Sequence, residues 1–365
     1  MSLNWDQRLM TKSRPVPTEL PHGATVHDAL KELLDNYHDI NSQTVTELEQ
    51  EPTPLEFMRY VARNQPFVIR NNANKDFGPI TQRWTPSYIC QKLGSTKVTV
   101  ALTPAGNADA VVHLAANDGS LFCKPYQVQE SFSSAVQAII AQEQNATPSS
   151  SPAATRYIQS QNDNLRSEYR HLFAELPAHI PWATEALQHE PDAVNLWLGN
   201  SHSTSALHKD HYENIFVQLA GAKHFVLLPP VQSPCVNERA VLSATYAPLL
   251  HPPVSTLSHH IRKDDLCIQI DEPMHYVPLP MWDPDRPGEN TSPYSPYARP
   301  MRVTVRQGDV LYLPALWYHK VKQVAGHQGV CCSVNYWYDM DFTGQFQVAT
   351  MFVGEIARLE SRARQ

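Results

Sequence analysis

The sequence predicts a mainly β protein, a barrel of short strands with helices flanking it, and three features predict it. From Val194 onward, apolar and β-branched runs follow one another at strand length. Upstream, runs with helical spacing alternate with a few strand-like ones, and helical spacing returns in the tail. Thirty prolines against thirteen glycines imply rigid loop segments between short strands, not long helices.

Residues 1–22 read as an irregular, proline-containing lead. Thr25–Glu49 reads as helix in two parts, with Val26, Leu30, Leu33, Leu34 and Tyr37 on one side and Lys31, Glu32 and Asp35 on the other. A short helix is expected over Pro54–Asn64, then a strand in Pro66–Arg70. Lys97–Thr103 alternates and is β-branched, a strand signature. Helix is expected over Phe132–Gln144, an exposed Ser/Ala/Pro-rich loop over Asn145–Thr155, strand over Arg156–Gln161 and helix over Ser167–Leu176. The dense β region then offers Val194–Leu198, Leu207–Asp210, Asn214–Leu219, Lys223–Leu228, Met301–Val305, Val310–Leu313 and Val330–Tyr338. Gly221-Ala222 reads as a tight hairpin turn. The long Pro-rich stretch Pro229–Pro300 separates the two halves of the candidate site and offers surface for substrate. In the tail, Phe342, Phe346, Met351, Phe352, Ile356 and Leu359 fall near helical spacing, as a helix packing on the barrel or on a second subunit would place them.

Composition narrows the function classes. The net charge is −7 and no Lys/Arg-rich run occurs, so a duplex nucleic-acid footprint is not supported. Six cysteines show no C-x-x-C or zinc-ribbon spacing, and Cys331-Cys332 sit in an apolar run, where packing is expected over bridging. The N-terminal residues lack the apolar core of a signal peptide, and no apolar run is long enough to span a bilayer. The expectation is a reducing compartment, most simply the cytoplasm, compatible with a nuclear pool.

The chemistry concentrates in Asn195–Pro230. His208 and Asp210 form a His-x-Asp pair in a segment that reads as strand, where residues two apart share a face. With 17 histidines, about one such pair arises by chance. His211 and Glu213 form a competing pair in the other phase. Ile215, Val217 and Leu219 share the phase of His211 and Glu213, whereas Tyr212, Asn214 and Gln218 share that of His208 and Asp210. A ligand-binding interior needs convergent polar groups, so the polar phase is assigned inward, on the assumption of no bulge between Asp210 and Asn214.

A third ligand is available at His319, after the turn and strand Gly308–Pro314; a strand-end surface histidine is the alternative. Two imidazoles and a carboxylate make the facial triad of non-haem Fe(II) sites, with open positions for cosubstrate and oxygen. Lys223 is costly to bury without an anion. It either receives a cosubstrate carboxylate or reaches solvent from an edge strand.

The HKD of His208–Asp210, Lys223 beyond the turn, GDVLYLPALWYH at Gly308–His319 and SVNYWYDM at Ser333–Met340 together resemble the jumonji-C (JmjC) branch of the 2-oxoglutarate oxygenases. The resemblance covers most of the chain from about Pro66. It implies a double-stranded β-helix, a cupin-like jelly roll: residues 1–155 as support, 156–341 as catalytic core and 342–365 as C-terminal helix. It also implies Fe(II) held by His208, Asp210 and His319, with 2-oxoglutarate and O2 as cosubstrates. Lys223 would bind the distal carboxylate, helped by Tyr157 and by Ser205, which stands where threonine is common. Asn214 and Asn335 would line the pocket and Trp337 wall it.

The implied activity is hydroxylation of a substrate C–H bond, coupled to decarboxylation of 2-oxoglutarate to succinate. The implied target is a lysine of a GTP-binding protein of the developmentally regulated, translation-factor-related class. The rivals are a JmjC demethylase directed at histone tails, a hydroxylase of another residue type, and a non-catalytic cupin-like scaffold. Chromatin-reader modules and zinc fingers are not visible. A homodimer through the C-terminal helix fits the same resemblance.

Overall fold

The computed structural model describes residues 23–70, 77–114, 119–144, 153–249 and 261–363. The lead at 1–22 and most of the Ser/Ala/Pro-rich loop lie outside them.

Local chemistry sets the first helices. Thr25 and Asp28 close a reciprocal capping box that starts Val26–Ile40. Thr53 and Glu56 repeat the device ahead of Pro54–Arg63, with Pro54 in the first turn, where its missing N–H is no loss. The first helix is shorter than its sequence implies. It ends at Asn41, and β-branched Thr44–Thr46 lead into strand β1 (Thr46–Leu48), which runs parallel to β2 (Phe67–Ile69). Helices Gly78–Arg83 and Pro86–Leu93 follow, then β3 (Lys97–Thr103), β4 (Ala110–His113), β5 (Ser120–Lys124) and β6 (Tyr126–Ser131). Helix Phe132–Gln144 keeps its expected bounds. The strand expected at Arg156–Gln161 is the shorter β7 (Thr155–Tyr157), extended by a single bridge from Ile158 to Leu198. The helix expected at Ser167–Leu176 is one turn, Arg170–Phe173.

The β region holds β8 (Ala193–Gly199), β9 (Thr204–His208), β10 (Tyr212–Ala220) and β11 (Ala222–Leu228). The Pro-rich stretch contributes β12 (Glu238–Pro248), β13 (Leu266–Ile270) and β14 (Tyr276–Pro280). The chain closes with β15 (Met301–Arg306), β16 (Val310–Leu313), β17 (Tyr318–Val324), β18 (Cys331–Asp339) and the helix Phe346–Ala363. Among the described residues the cysteines are unbridged, and no helix is long and apolar enough to cross a membrane.

Two sheets form the jelly-roll core. One has the order β1-β2-β16-β10-β18-β8 and the other β15-β11-β17-β9. The larger sheet is buried on both faces. Outward, Ile215, Val217, Val334 and Tyr336 pack against Phe57, Ile89, Val136 and Trp182 of the helical layer. Inward, Phe216, Leu311 and Leu313 meet Phe225, Leu227 and Val321 of the smaller sheet. The polar-phase assignment for β10 is therefore right over Asn214–Gln218, but one expectation fails there. β10 pairs β16 and β18, while β11 pairs β15 and β17. The turn at Gly221 is a crossover between facing sheets, not a hairpin. Outside the core, β12, β13 and β14 join β4 and β5 in a separate sheet that flanks the barrel.

Candidate active site

Asp210 is not in a strand. β9 ends at His208, Asp210 lies in the turn that follows, and β10 begins at Tyr212 in the other sheet. The same-face argument for His208 and Asp210 thus fails in its premise, because the chain switches sheets between them. A different device brings them together: the Leu316 amide donates to the Asp210 carbonyl at 2.8 Å and pins that turn. His319 sits in β17 directly opposite His208.

The ligand atoms of His208, Asp210 and His319 lie within 4.8 Å of one another. His208 Nε2 and His319 Nε2 stand 3.8 and 3.6 Å from Asp210 Oδ2. Each ring directs Nδ1 to the carbonyl two residues back, Ala206 at 2.7 Å and Trp317 at 3.0 Å. A carbonyl only accepts, so Nδ1 carries the proton and both Nε2 lone pairs face Asp210. Burial pushes His319 down to about 4, so its imidazole is neutral near pH 7. Two imidazoles and a carboxylate converging from backbone-fixed positions suit a divalent metal. The His211–Glu213 pair does not: His211 is exposed and stacks on Phe342, and Glu213 accepts from the Tyr312 hydroxyl at 2.6 Å.

Behind the ligands lies a cavity lined by all nine anticipated residues: His208, Asp210, His319, Lys223, Tyr157, Ser205, Asn214, Asn335 and Trp337. Lys223 is 3 % exposed, which removes the edge-strand alternative. Its Nζ donates to the Tyr157 hydroxyl at 3.1 Å and lies 4.9 Å from the Phe216 ring centre. No carboxylate among the described residues pairs with it, and burial holds it down to about 8. Trp197 Nε1 donates to Asn335 Oδ1 at 2.8 Å, and Asn335 Nδ2 donates to Asn214 Oδ1 at 3.1 Å. Trp337 stacks on Tyr212, with its own Nε1 unpartnered. An unpaired ammonium and an orphaned indole N–H in one cavity, beside a metal-ligand triad, fit a small dicarboxylate.

The sequence reading missed several neighbours. Gln161, Trp197, Phe216, Phe225 and Val321 also line this cavity. Gly199 makes room for Tyr157: a Cβ there would stand 2.8 Å from the Tyr157 ring. Lys209, between two ligands, donates to Glu238 at 2.6 Å and to the Tyr318 hydroxyl at 2.9 Å; Tyr318 also donates to Glu238. A second, larger cavity of about 410 Å³ adjoins the first along Gln161, Trp197, Ser205 and His208. Asp109 lines it, accepting from Gln159 Nε2 at 3.1 Å. Burial pushes the Asp109 carboxyl up, against the opposing influence of His208, Gln159 and Lys124.

A family model described as a cupin-like domain matches residues 52–344. The human bifunctional peptidase and (3S)-lysyl hydroxylase JMJD7 is 37 % identical over 296 residues, 81 % of this chain and 84 % of that protein. The Arabidopsis thaliana lysine-specific demethylase JMJ32 is 34 % identical over 308 residues, 82 % of each chain. JmjC domain-containing protein E of Dictyostelium discoideum is 30 % identical over 357 residues, 91 % of this chain and 98 % of that one.

Proposed function

The chain belongs to the cupin-like JmjC family of 2-oxoglutarate-dependent oxygenases, and from that premise we propose that it hydroxylates a lysine side chain of another protein. One observation carries the cosubstrate assignment: Lys223, buried without a counter-anion, in the cavity that holds the three ligand atoms. The lysine assignment is supported by the relatives, since lysine figures in the printed names of both JMJD7 and JMJ32.

In this reading His208, Asp210 and His319 hold Fe(II), and Nδ1 donation to Ala206 and Trp317 fixes each imidazole as an Nε2 ligand. The iron, with 2-oxoglutarate and O2, supplies the oxidising power that no acid–base side chain has for an aliphatic C–H bond. The protein supplies placement. Lys223 neutralises the distal carboxylate, and the Tyr157 hydroxyl orients that ammonium. Asn214 and Asn335, joined to Trp197, present a fixed amide edge to the pocket. Phe216, Phe225 and Val321 exclude water from the cosubstrate chain. The expected protein target is a lysine in a translation-factor-related GTP-binding protein. The apolar outer side of the C-terminal helix further supports a homodimer.

The test is succinate formation by the purified protein with Fe(II), ascorbate and lysine peptides from GTP-binding candidates. Substrate-dependent succinate with a gain of one oxygen on lysine, lost in Asp210→Ala, is the expected result. JMJ32 favours a second reading, demethylation of a methylated lysine. That outcome would show as formaldehyde and loss of a methyl group, with no stable hydroxylated product. Absence of succinate from a folded, iron-loaded protein would leave only the scaffold role.

A further inference from the structure

The triad is not equally covered on all sides. The His208 side chain is 33 % exposed and that of His319 only 7 %. The site therefore opens on the His208 side, which is the side shared with the larger cavity. That cavity has apolar walls in Trp197, Phe122 and Leu279, suited to the methylene stem of a long side chain.

Its charges are sparse. Among the described lining residues, Asp109 is the sole carboxylate and Lys124 the sole lysine or arginine. Lys124 is answered by Asp271 at 2.9 Å. Asp109 has one hydrogen bond among the described residues, from Gln159, although a carboxylate can accept about four.

The position of Asp109 is fixed by backbone geometry. Its φ of 52° is left-handed, a conformation that aspartate tolerates better than most residues. Three residues earlier, Gly106 has φ +74°, and a Cβ there would lie 1.9 Å from the His202 carbonyl oxygen. The Gly106 carbonyl accepts from the Thr204 amide at 2.8 Å. The loop that ends in Asp109 is thus clamped to the first residue of β9, the strand whose last residue is His208. Only glycine permits that approach.

We propose that Asp109 determines specificity by receiving the ammonium group of the incoming side chain, so that the outer cavity selects a primary alkylammonium. The inference rests on the lysyl reading above. Held at its charged end by Asp109 and along its stem by Trp197, a lysine presents its methylenes at the exposed edge of the triad. A neutral isostere lacks the anchoring ion pair and leaves a half-buried carboxylate unanswered.

The test compares two probes on the full-length protein by ligand-observed NMR titration: Nα-acetyl-L-lysine N-methylamide and the neutral norleucine equivalent. Wild type is expected to prefer the lysine probe by about tenfold or more. Asp109→Asn can still accept the Gln159 bond, so it should fold, and its preference should fall to about twofold or less. Asp109→Glu should recover part of it. A preference undiminished in Asp109→Asn overturns the role of Asp109 and leaves the lysyl reading standing. Equal binding of the two probes by wild type overturns the lysyl reading, and the role of Asp109 with it.

Discussion

Lys223 is an ammonium withdrawn from water and given aromatic rings and a tyrosine hydroxyl in place of a carboxylate. Its descent from 10.5 to about 8 corresponds to on the order of 3 kcal/mol of strain on the charged, ligand-free state. Between those two pH values the unfolded chain binds more protons than the folded one, so this residue makes the ligand-free protein more stable as pH rises through that window. Lys223→Met removes the buried charge while keeping a linear apolar side chain. It is expected to raise the melting temperature by a few degrees and to weaken 2-oxoglutarate binding by about 100-fold. The same residue sets a pH dependence for binding. An arriving carboxylate needs the protonated amine, so above about pH 8 binding must take up a proton. Affinity for 2-oxoglutarate should fall about tenfold per pH unit there, with proton uptake visible when calorimetry is repeated in buffers of different ionisation enthalpy. Flat affinity from pH 7 to 9.5 would mean that Lys223 does not meet the cosubstrate.

At the scale of elements, the polar phase of β10 was legible because Asn214 and Gln218 alternate with Ile215, Val217 and Leu219 on one continuous strand. The His-x-Asp geometry was not. A run from Leu207 to Leu219 carries no local mark of the sheet switch at Asp210, because the pairing partners that decide it, β17 on one side and β18 on the other, lie more than a hundred residues away. The crossover at Gly221 escaped for the same reason: a tight glycine turn between apolar runs looks alike whether its strands pair with each other or with distant ones. Glu238 was equally hidden, since it opens β12 in the Pro-rich stretch and meets Lys209 and Tyr318 only in three dimensions. Lys209 follows His208 in the turn after β9 and Tyr318 precedes His319 on β17, so Glu238 ties the two ligand-bearing segments together from outside. Glu238→Gln preserves shape and removes the charge that holds Lys209. Iron affinity, measured by competition with a chelator, should fall about tenfold, within the range typical of residues that support metal ligands. Unchanged affinity would assign the triad geometry to the backbone bonds of Ala206, Trp317 and Leu316 alone.

Over the whole molecule, the architecture was readable because a buried jelly roll leaves a dense record of short apolar runs, and the helical layer leaves capping boxes and amphipathic spacing. The separate sheet of β12, β13 and β14 left a weaker trace, because its strands are partly exposed and lie within a proline-rich stretch. The C-terminal helix was expected to pack on the barrel or on a second subunit; its inner face packs on the first helix and on the Pro-rich stretch. Val353, Ile356 and Ala357 pack with Leu30, Leu34 and Tyr294. Val348, Met351, Phe352 and Leu359 are each more than half exposed, and the first three cluster within two turns as an apolar patch of the kind that marks an interaction surface. Covering that face with its copy in a second molecule would produce a two-fold dimer, the commonest closed symmetry. Phe352→Glu places a charge at the centre of such an interface without touching the inner face. Sedimentation should show wild type as a dimer and the variant as a monomer, with the melting temperature of the isolated fold little changed. A wild-type protein that sediments as a monomer at micromolar concentration would remove self-association as the reason for the exposed face and leave the protein substrate as its natural occupant.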